Sequence, residues 1–272
     1  MAQSAILVDT HCHLDFDAFD EDRDEVLARA SQAGVVMVLN PAIDVESSQR
    51  IVGLAEQHKN LFAAVGVHPS SSRSWQPESA QRLKDLARHP KVRAIGEIGL
   101  DYYRDSAPPE MQKEVLAQQL MLAAETELPV IIHNREASAD LMEVLTAWQQ
   151  DLAKNGSPLG ERPGVLHSFA AHPDIAEQAI AHNFYIGFTG PVTFKNAADL
   201  QRVAAEIPLE RMLVETDSPF LSPHPLRGQR NEPSRVKLVA EKLAEIKGVP
   251  FEELAARTTA NARALFRLDI NQ

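Results

Sequence analysis

Short apolar runs recur along the whole chain, each only a few residues long. They are "ILVDTH" from residue 6, "VVMVLN" from 35, "FAAVGV" from 62 and "VRAIGE" from 92. They continue as "VIIH" from 130, "GVLH" from 164, "FYIGFT" from 184 and "LVET", which ends at Thr216. Runs of this length, bounded by turn residues, read as buried strands. Successive runs begin 20 to 38 residues apart. The segments between them have helical period: Asp22–Ala33, Glu46–His58, Pro77–Arg88, Pro109–Glu127, Ala137–Gln150, Asp174–Ala181 and Ala197–Ile207. Gly34, Pro77, Pro90, Pro129 and Pro173 punctuate them. The tail predicts a helix over Ser234–Lys247, then one or two short ones to Phe266.

Strands alternating with helices pair in parallel through crossover connections. Eight such units in 272 residues fit an α/β fold of the (β/α)8 TIM-barrel type, with 1–272 as a single domain. An open doubly wound sheet is the alternative. That fold usually carries a glycine-rich phosphate loop after an early strand, and the chain has no G-x-G-x-x-G pattern. The most linker-like stretch, "KNGSPLGERPG" at 154–164, is short and reads as a loop leading into the sixth strand.

Composition narrows the function classes. Hydrophobic content of 44% and charged content of 24% are those of an ordinary globular protein. No apolar run is long enough to span a membrane. The start, "MAQSAILVDTH", lacks the basic and apolar regions of a secretory signal. One cysteine, Cys12, rules out an intrachain disulfide framework and suits a cytoplasmic location. The net charge of −11 speaks against a broad basic groove for nucleic acid. A phosphate-bearing substrate then needs a local positive feature.

That feature emerges where the strands end. In a barrel the C-terminal strand ends form one rim, which carries the active site. "DTHCHLD" ends the first strand with His11 and His13, which share a face because side chains alternate along a strand. The third strand leads to His68, the fourth to Glu97 and Asp101, the fifth to His133 and Arg135. The sixth ends in His167 and the eighth in Glu215 and Asp217. Five of the 10 histidines fall at these ends. So many ligands exceed one tetrahedral site and suit two divalent ions. The assignment is His11, His13 and Asp217 to one ion, His133 and His167 to the other, and Glu97 as the bridge. Two divalent ions outweigh the charges of Glu97 and Asp217, so the site is positive within an acidic protein.

The motifs "DTHCHLD", "GVHP", "GEIGLDYY", "HNREA", "VETDSP", "RGQRNEP" and "TTANARALF" resemble, in order and spacing, those of the TatD family of metal-dependent deoxyribonucleases. That family is a branch of the amidohydrolase-like barrels. The resemblance runs from Val8 to Phe266. It implies a (β/α)8 barrel, a divalent-metal nuclease often exonucleolytic on DNA, and the ligand set His11, His13, Glu97, His133, His167 and Asp217. Two departures stand beside the rim: "SFAA" after His167, where the family commonly has a cysteine and a Ser-Gly pair, and a longer 154–164 loop. No lysine closes a predicted strand, so Glu97 takes the bridging place that a carboxylated lysine fills in wider relatives.

The expected function is hydrolysis of DNA phosphodiesters by metal-activated water, with DNA single strands or frayed ends as substrate. Mg²⁺ is expected for activity, with Zn²⁺ or Mn²⁺ as alternatives. No membrane and no obligate protein partner are expected. Asp217 is read as ligand and proton acceptor. His68 contacts phosphate or donates a proton to the leaving group, or else is structural behind Pro69. Glu215 either binds a further metal or orients water, or is a paired interior acid. Arg135, Arg227 and Arg230 are candidate substrate contacts. The last two lie in "PLRGQRNEPSRVK" (225–237), which is otherwise a solvated loop with Glu232 pairing locally. Tyr102 and Tyr103 either stack on bases or pack their loop. A different bond, in a phosphotriester, an amide or an ester such as aminoacyl-tRNA, is the alternative for the same metal pair. A non-enzymatic metal-binding module is the third class.

Overall fold

Valine, isoleucine and leucine fill the strand runs, and the structure buries them as central strands. The structure, a computed structural model, describes residues 5–268. The first four residues of the N-terminal stretch read above lie outside the described residues. Eight strands are present among the described residues: β1 (Leu7–Asp9), β2 (Val35–Pro41), β3 (Leu61–Val65), β4 (Val92–Asp101), β5 (Val130–Arg135), β6 (Gly164–Leu166), β7 (Tyr185–Phe188) and β8 (Met212–Val214). They stand in one sheet in chain order, β1 through β8, as the (β/α)8 reading requires. The intervening helices are α1 (Arg23–Gln32), α2 (Val45–Gln57), α3 (Ser79–Ala87), α4 (Pro109–Thr126), α5 (Ser138–Lys154), α6 (Pro173–Ala181) and α7 (Ala198–Glu206). Helices α8 (Val236–Lys247) and α9 (Phe251–Phe266) follow β8. No described helix is long and apolar enough to cross a membrane.

The chain forms two compact units. One holds Pro41–His167 and Ala171–Tyr185. Its strands pair in parallel as β3·β4, β4·β5 and β5·β6, with Ala63 opposite Val92, Ile95 opposite Val130 and Val130 opposite Gly164. The other holds the chain up to Asn40, Ser168–Ala170 and the chain from Ile186 onward. There β1 pairs with β2 and β7 with β8. β8 also lies against β1: the Thr10 N–H donates to Val214 O at 3.3 Å, and Cys12 bridges Ser218.

Local chemistry sets the element ends. α2 begins in a capping box: the Ser47 N–H donates to Asp44 Oδ1 at 2.7 Å, and the Asp44 N–H donates back to Ser47 Oγ at 2.9 Å. After α8 the chain forms one helix, α9, the single-helix alternative, and at 16 residues it is not short. Leu254, Ala255, Thr258, Ala262, Leu265 and Phe266 recur at helical spacing and are all buried. Asn261 on that helix donates to Leu209 O and Met212 O at 2.7 and 2.8 Å, and Thr259 Oγ1 donates to Ile6 O. The stretch 154–164 is a packed turn. α5 runs four residues beyond the predicted Gln150, Leu159 is buried, and Gly160 O accepts from Gln149 and Asn183.

Candidate metal centre

β1 ends at Asp9, two residues short of the predicted strand end. The backbone nevertheless delivers His11 and His13 to one side, with their Nε2 atoms 3.2 Å apart and both rings buried. Asp217 Oδ1 stands 3.7 Å from the first nitrogen and 3.6 Å from the second. Ligand atoms about 2.1 Å from a tetrahedral ion stand roughly 3.4 Å from one another. The three donors therefore fit a divalent ion as they stand.

What aims them is a reciprocal clasp between the "DTH" and "ETD" segments. Asp9 accepts from the Thr216 N–H at 2.9 Å and from Thr216 Oγ1 at 2.6 Å. Thr10 Oγ1 donates in turn to Glu215 Oε1 at 3.2 Å. The Asp217 N–H donates to His11 O, and the His13 N–H donates to Ser218 O, both at 2.8 Å. Asp9 and Glu215 are fully buried acids. Burial pushes the Asp9 carboxyl up to about 8; the Thr216 hydrogen bonds oppose this and the charge of Glu215 adds to it. Glu215 Oε2 accepts from the Ser168 N–H at 3.0 Å. A Cβ on Gly187 would stand 2.4 Å from that carboxylate, so the strand passes only as glycine. Glu215 is thus a buried acid bonded to Thr10 and Ser168. Cys12 is buried, which raises its thiol well above its usual value and leaves it as packing.

The other unit gathers imidazoles around Glu97. His133 Nδ1 is 2.9 Å from Glu97 Oε1, His167 Nε2 3.7 Å and His68 Nε2 3.8 Å. Glu97 is buried, so its charge needs these neighbours. β4 continues past Glu97 to Asp101, which shares its face by the two-residue period. Asp101 Oδ2 lies 3.1 Å from His133 Nε2, and the ring is held between two carboxylates. Burial alone would lower His133, but Asp101 and Glu97 outweigh it and hold the ring at about 8. Burial likewise raises Asp101, and the bonds from His133 and the Arg104 N–H outweigh it to hold the carboxyl at about 2. Opposite His133 stands Gly99, where a Cβ would lie 2.0 Å from His133 O. Asp101 is the orienting carboxylate that sequence reading named without a role; its spacing from Glu97 was the available signal.

The remaining candidates are placed as follows. His68 caps a 3-10 turn, its Nδ1 accepting from the Ser70 N–H at 3.1 Å while Nε2 faces Glu97. Arg135 is exposed and lies over the Tyr103 ring at 3.7 Å, whereas the Tyr102 hydroxyl donates to Asp140. Arg227 is exposed beside Phe194. Arg230 makes two bonds of 2.7 Å to the Asp22 carboxylate and donates to Ala18 O. Glu232 accepts from Ser234 within its own loop and also from Arg29 of α1, outside it.

Residues 8–267 match the family model described as TatD related DNase. The chain belongs to that family. TatD relatives extend over nearly its full length. A Bacillus subtilis protein named as the uncharacterized metal-dependent hydrolase YabD is 43% identical over 264 residues, covering 97% of this chain and 100% of that protein. An Erwinia amylovora protein named 3'-5' ssDNA/RNA exonuclease TatD is 38% identical, covering 92% and 95%. The crystal structure of YjjV, a TatD homologue from Escherichia coli K12, superposes with a TM-score of 0.89 at 34% identity, covering 97% and 98%. The fold is therefore the TatD (β/α)8 barrel, and the chain is a TatD-family metal-dependent hydrolase.

Proposed function

We propose that this TatD-family hydrolase is an exonuclease on single-stranded nucleic acid, DNA foremost, that cleaves phosphodiester bonds with two divalent ions. The observation that carries the reading is the spacing of His11, His13 and Asp217, which suits an ion without rearrangement. The three imidazoles about Glu97 support a second ion, with Glu97 as the shared ligand the sequence suggests. The Erwinia relative's name supports nucleic acid as substrate and 3'-to-5' polarity. Imidazole nitrogen with carboxylate oxygen suits Zn²⁺ or Mn²⁺, and we assign Mg²⁺ to activity as the usual metal of phosphodiester chemistry.

A divalent ion bound here supplies charge for the phosphoryl oxygens and lowers the pKa of bound water. The protein supplies the rest. Asp217 ligates and takes the proton of the attacking water. In this reading His68, whose Nε2 faces Glu97, returns a proton to the leaving oxygen. Arg135, exposed at the end of β5, and Arg227, exposed in the loop after β8, hold backbone phosphates. Arg230, engaged by Asp22, contributes to that group only by exchanging partners. The buried Cys12 fits a reducing compartment, which supports the cytoplasm as the location.

The test uses chelated protein reloaded with Mg²⁺, Mn²⁺ or Zn²⁺ and an end-labelled single-stranded oligonucleotide. A metal-dependent descending ladder is expected. Intact oligonucleotide alongside hydrolysis of a phosphotriester or carboxylic ester would overturn the nuclease reading in favour of the alternative bond.

A further inference from the structure

We propose that Phe220, with Phe16, forms a stacking platform for a base of the substrate beside the His11–His13–Asp217 cluster. The inference rests on the nuclease reading and names how that site holds its substrate.

The segment after Asp217 behaves unlike ordinary surface. Phe220 is 52% exposed and Leu221 38%, two consecutive large apolar residues in water. Single exposed hydrophobics need no account, but a contiguous pair next to a polar site does. Phe220 is also continuous with the cluster through ring contacts. Phe16 stacks on the His13 imidazole with centroids 4.7 Å apart and planes within 16°. Phe220 meets Phe16 edge to face at 6.0 Å. The rings step outward from a candidate ligand to solvent.

The backbone under Phe220 is fixed while its ring is open. The Phe220 N–H donates to Asp217 O at 2.9 Å. Fully buried Asn231 donates to Phe220 O at 2.7 Å and to Thr216 O at 2.9 Å. Asp217 and Leu221 both hold left-handed backbone, at φ of 56° and 53°, which non-glycine residues keep only where their surroundings impose it. One short, pinned segment therefore carries both a ligand carboxylate and an uncovered aromatic face. A base laid on that face brings its phosphate toward the ligands. Every base has such a π-face, so the platform grips single strands of any sequence. An acidic protein gains hold on a polyanion in this way without a basic groove.

The experiment compares wild type, Phe220→Ala and Phe220→Trp on a single-stranded oligonucleotide. It repeats the comparison on substrates whose base is replaced by an abasic spacer at each of the two terminal positions in turn. Stacking by one aromatic is worth a roughly 5- to 150-fold change in affinity. Phe220→Ala is expected to raise KM by about that factor with kcat and bound metal little changed, and Phe220→Trp to restore it. The abasic spacer should cost the wild type a similar factor and cost Phe220→Ala little more, because both changes remove the same contact. An unchanged KM for Phe220→Ala, or losses that multiply at both abasic positions, overturns the platform. Wild type that leaves every oligonucleotide intact overturns the nuclease reading as well.

Discussion

Thr216→Val tests whether the clasp between "DTH" and "ETD" positions the ligands. Valine matches threonine in shape, so the change isolates the hydroxyl. That hydroxyl donates to Asp9 at 2.6 Å and accepts from Ser218 Oγ at 2.7 Å and the Ser218 N–H at 3.2 Å. All three residues are fully buried, so water cannot substitute. Losing a hydrogen bond to an ionisable group and stranding a buried donor should together cost about 3 kcal/mol. For a chain of this size that is roughly a 6 °C fall in Tm. Thr216→Ser keeps the hydroxyl and removes one methyl, which costs about 1 kcal/mol and roughly 2 °C. Asp217 follows directly, so its carboxylate should wander and metal affinity fall about 10- to 100-fold in the valine variant alone. Calorimetry of the metal-free protein and metal titration read the two effects. Valine and serine variants that melt within about 1 °C of each other, with equal metal affinity, would refute the clasp.

Glu97→Gln keeps the shape and removes the charge among three imidazoles; elemental analysis should show at least one ion lost and turnover nearly abolished, with Tm retained. Asp101→Asn frees His133 from its orienting carboxylate, and metal affinity should drop about 10-fold or more while the oligonucleotide's KM holds. In metal-free protein Asp9 keeps its proton up to about 8, far above its unfolded value, so the native state holds the extra proton between those values. Stability should therefore fall as pH rises across that window, and urea midpoints should fall more steeply in wild type than in Asp9→Asn, which keeps the contribution of His133 as pH rises toward 8. Parallel profiles would remove Asp9 as the cause. Asp217→Asn should lower kcat more than it raises KM; a pure KM effect would take Asp217 out of the chemistry.

The strands and most helices were legible because burial writes itself as short apolar runs and helical periods. The capping box of α2 was missed by one residue because Asp44 and Ser47 lie outside the apolar pattern. Helix α5 ran long because Leu152, buried on its last turn, continues the period past Gln150. The clustering of His11, His13 and Asp217, and of imidazoles about Glu97, was legible through a different regularity: histidines and acids that end strands. Their supports were not. Asp9 meets Thr216 across 207 positions, and no local spacing announces that pair. Arg230 looked like a free cation because its partner, Asp22, belongs to another loop. Phe16 and Phe220 likewise become one surface only in three dimensions.

The same span of 207 positions bears on synthesis. His11 and His13 leave the ribosome early, yet their carboxylate partner is among the last quarter of the chain to emerge. The imidazoles about Glu97 need only the chain from His68 to His167. Long-range pairings of this kind form slowly. A nascent chain therefore carries an incomplete histidine pair through most of its translation, and a chain truncated before Asp217 never completes it. The three donors of the first cluster stand together only once the chain has been made past Asp217.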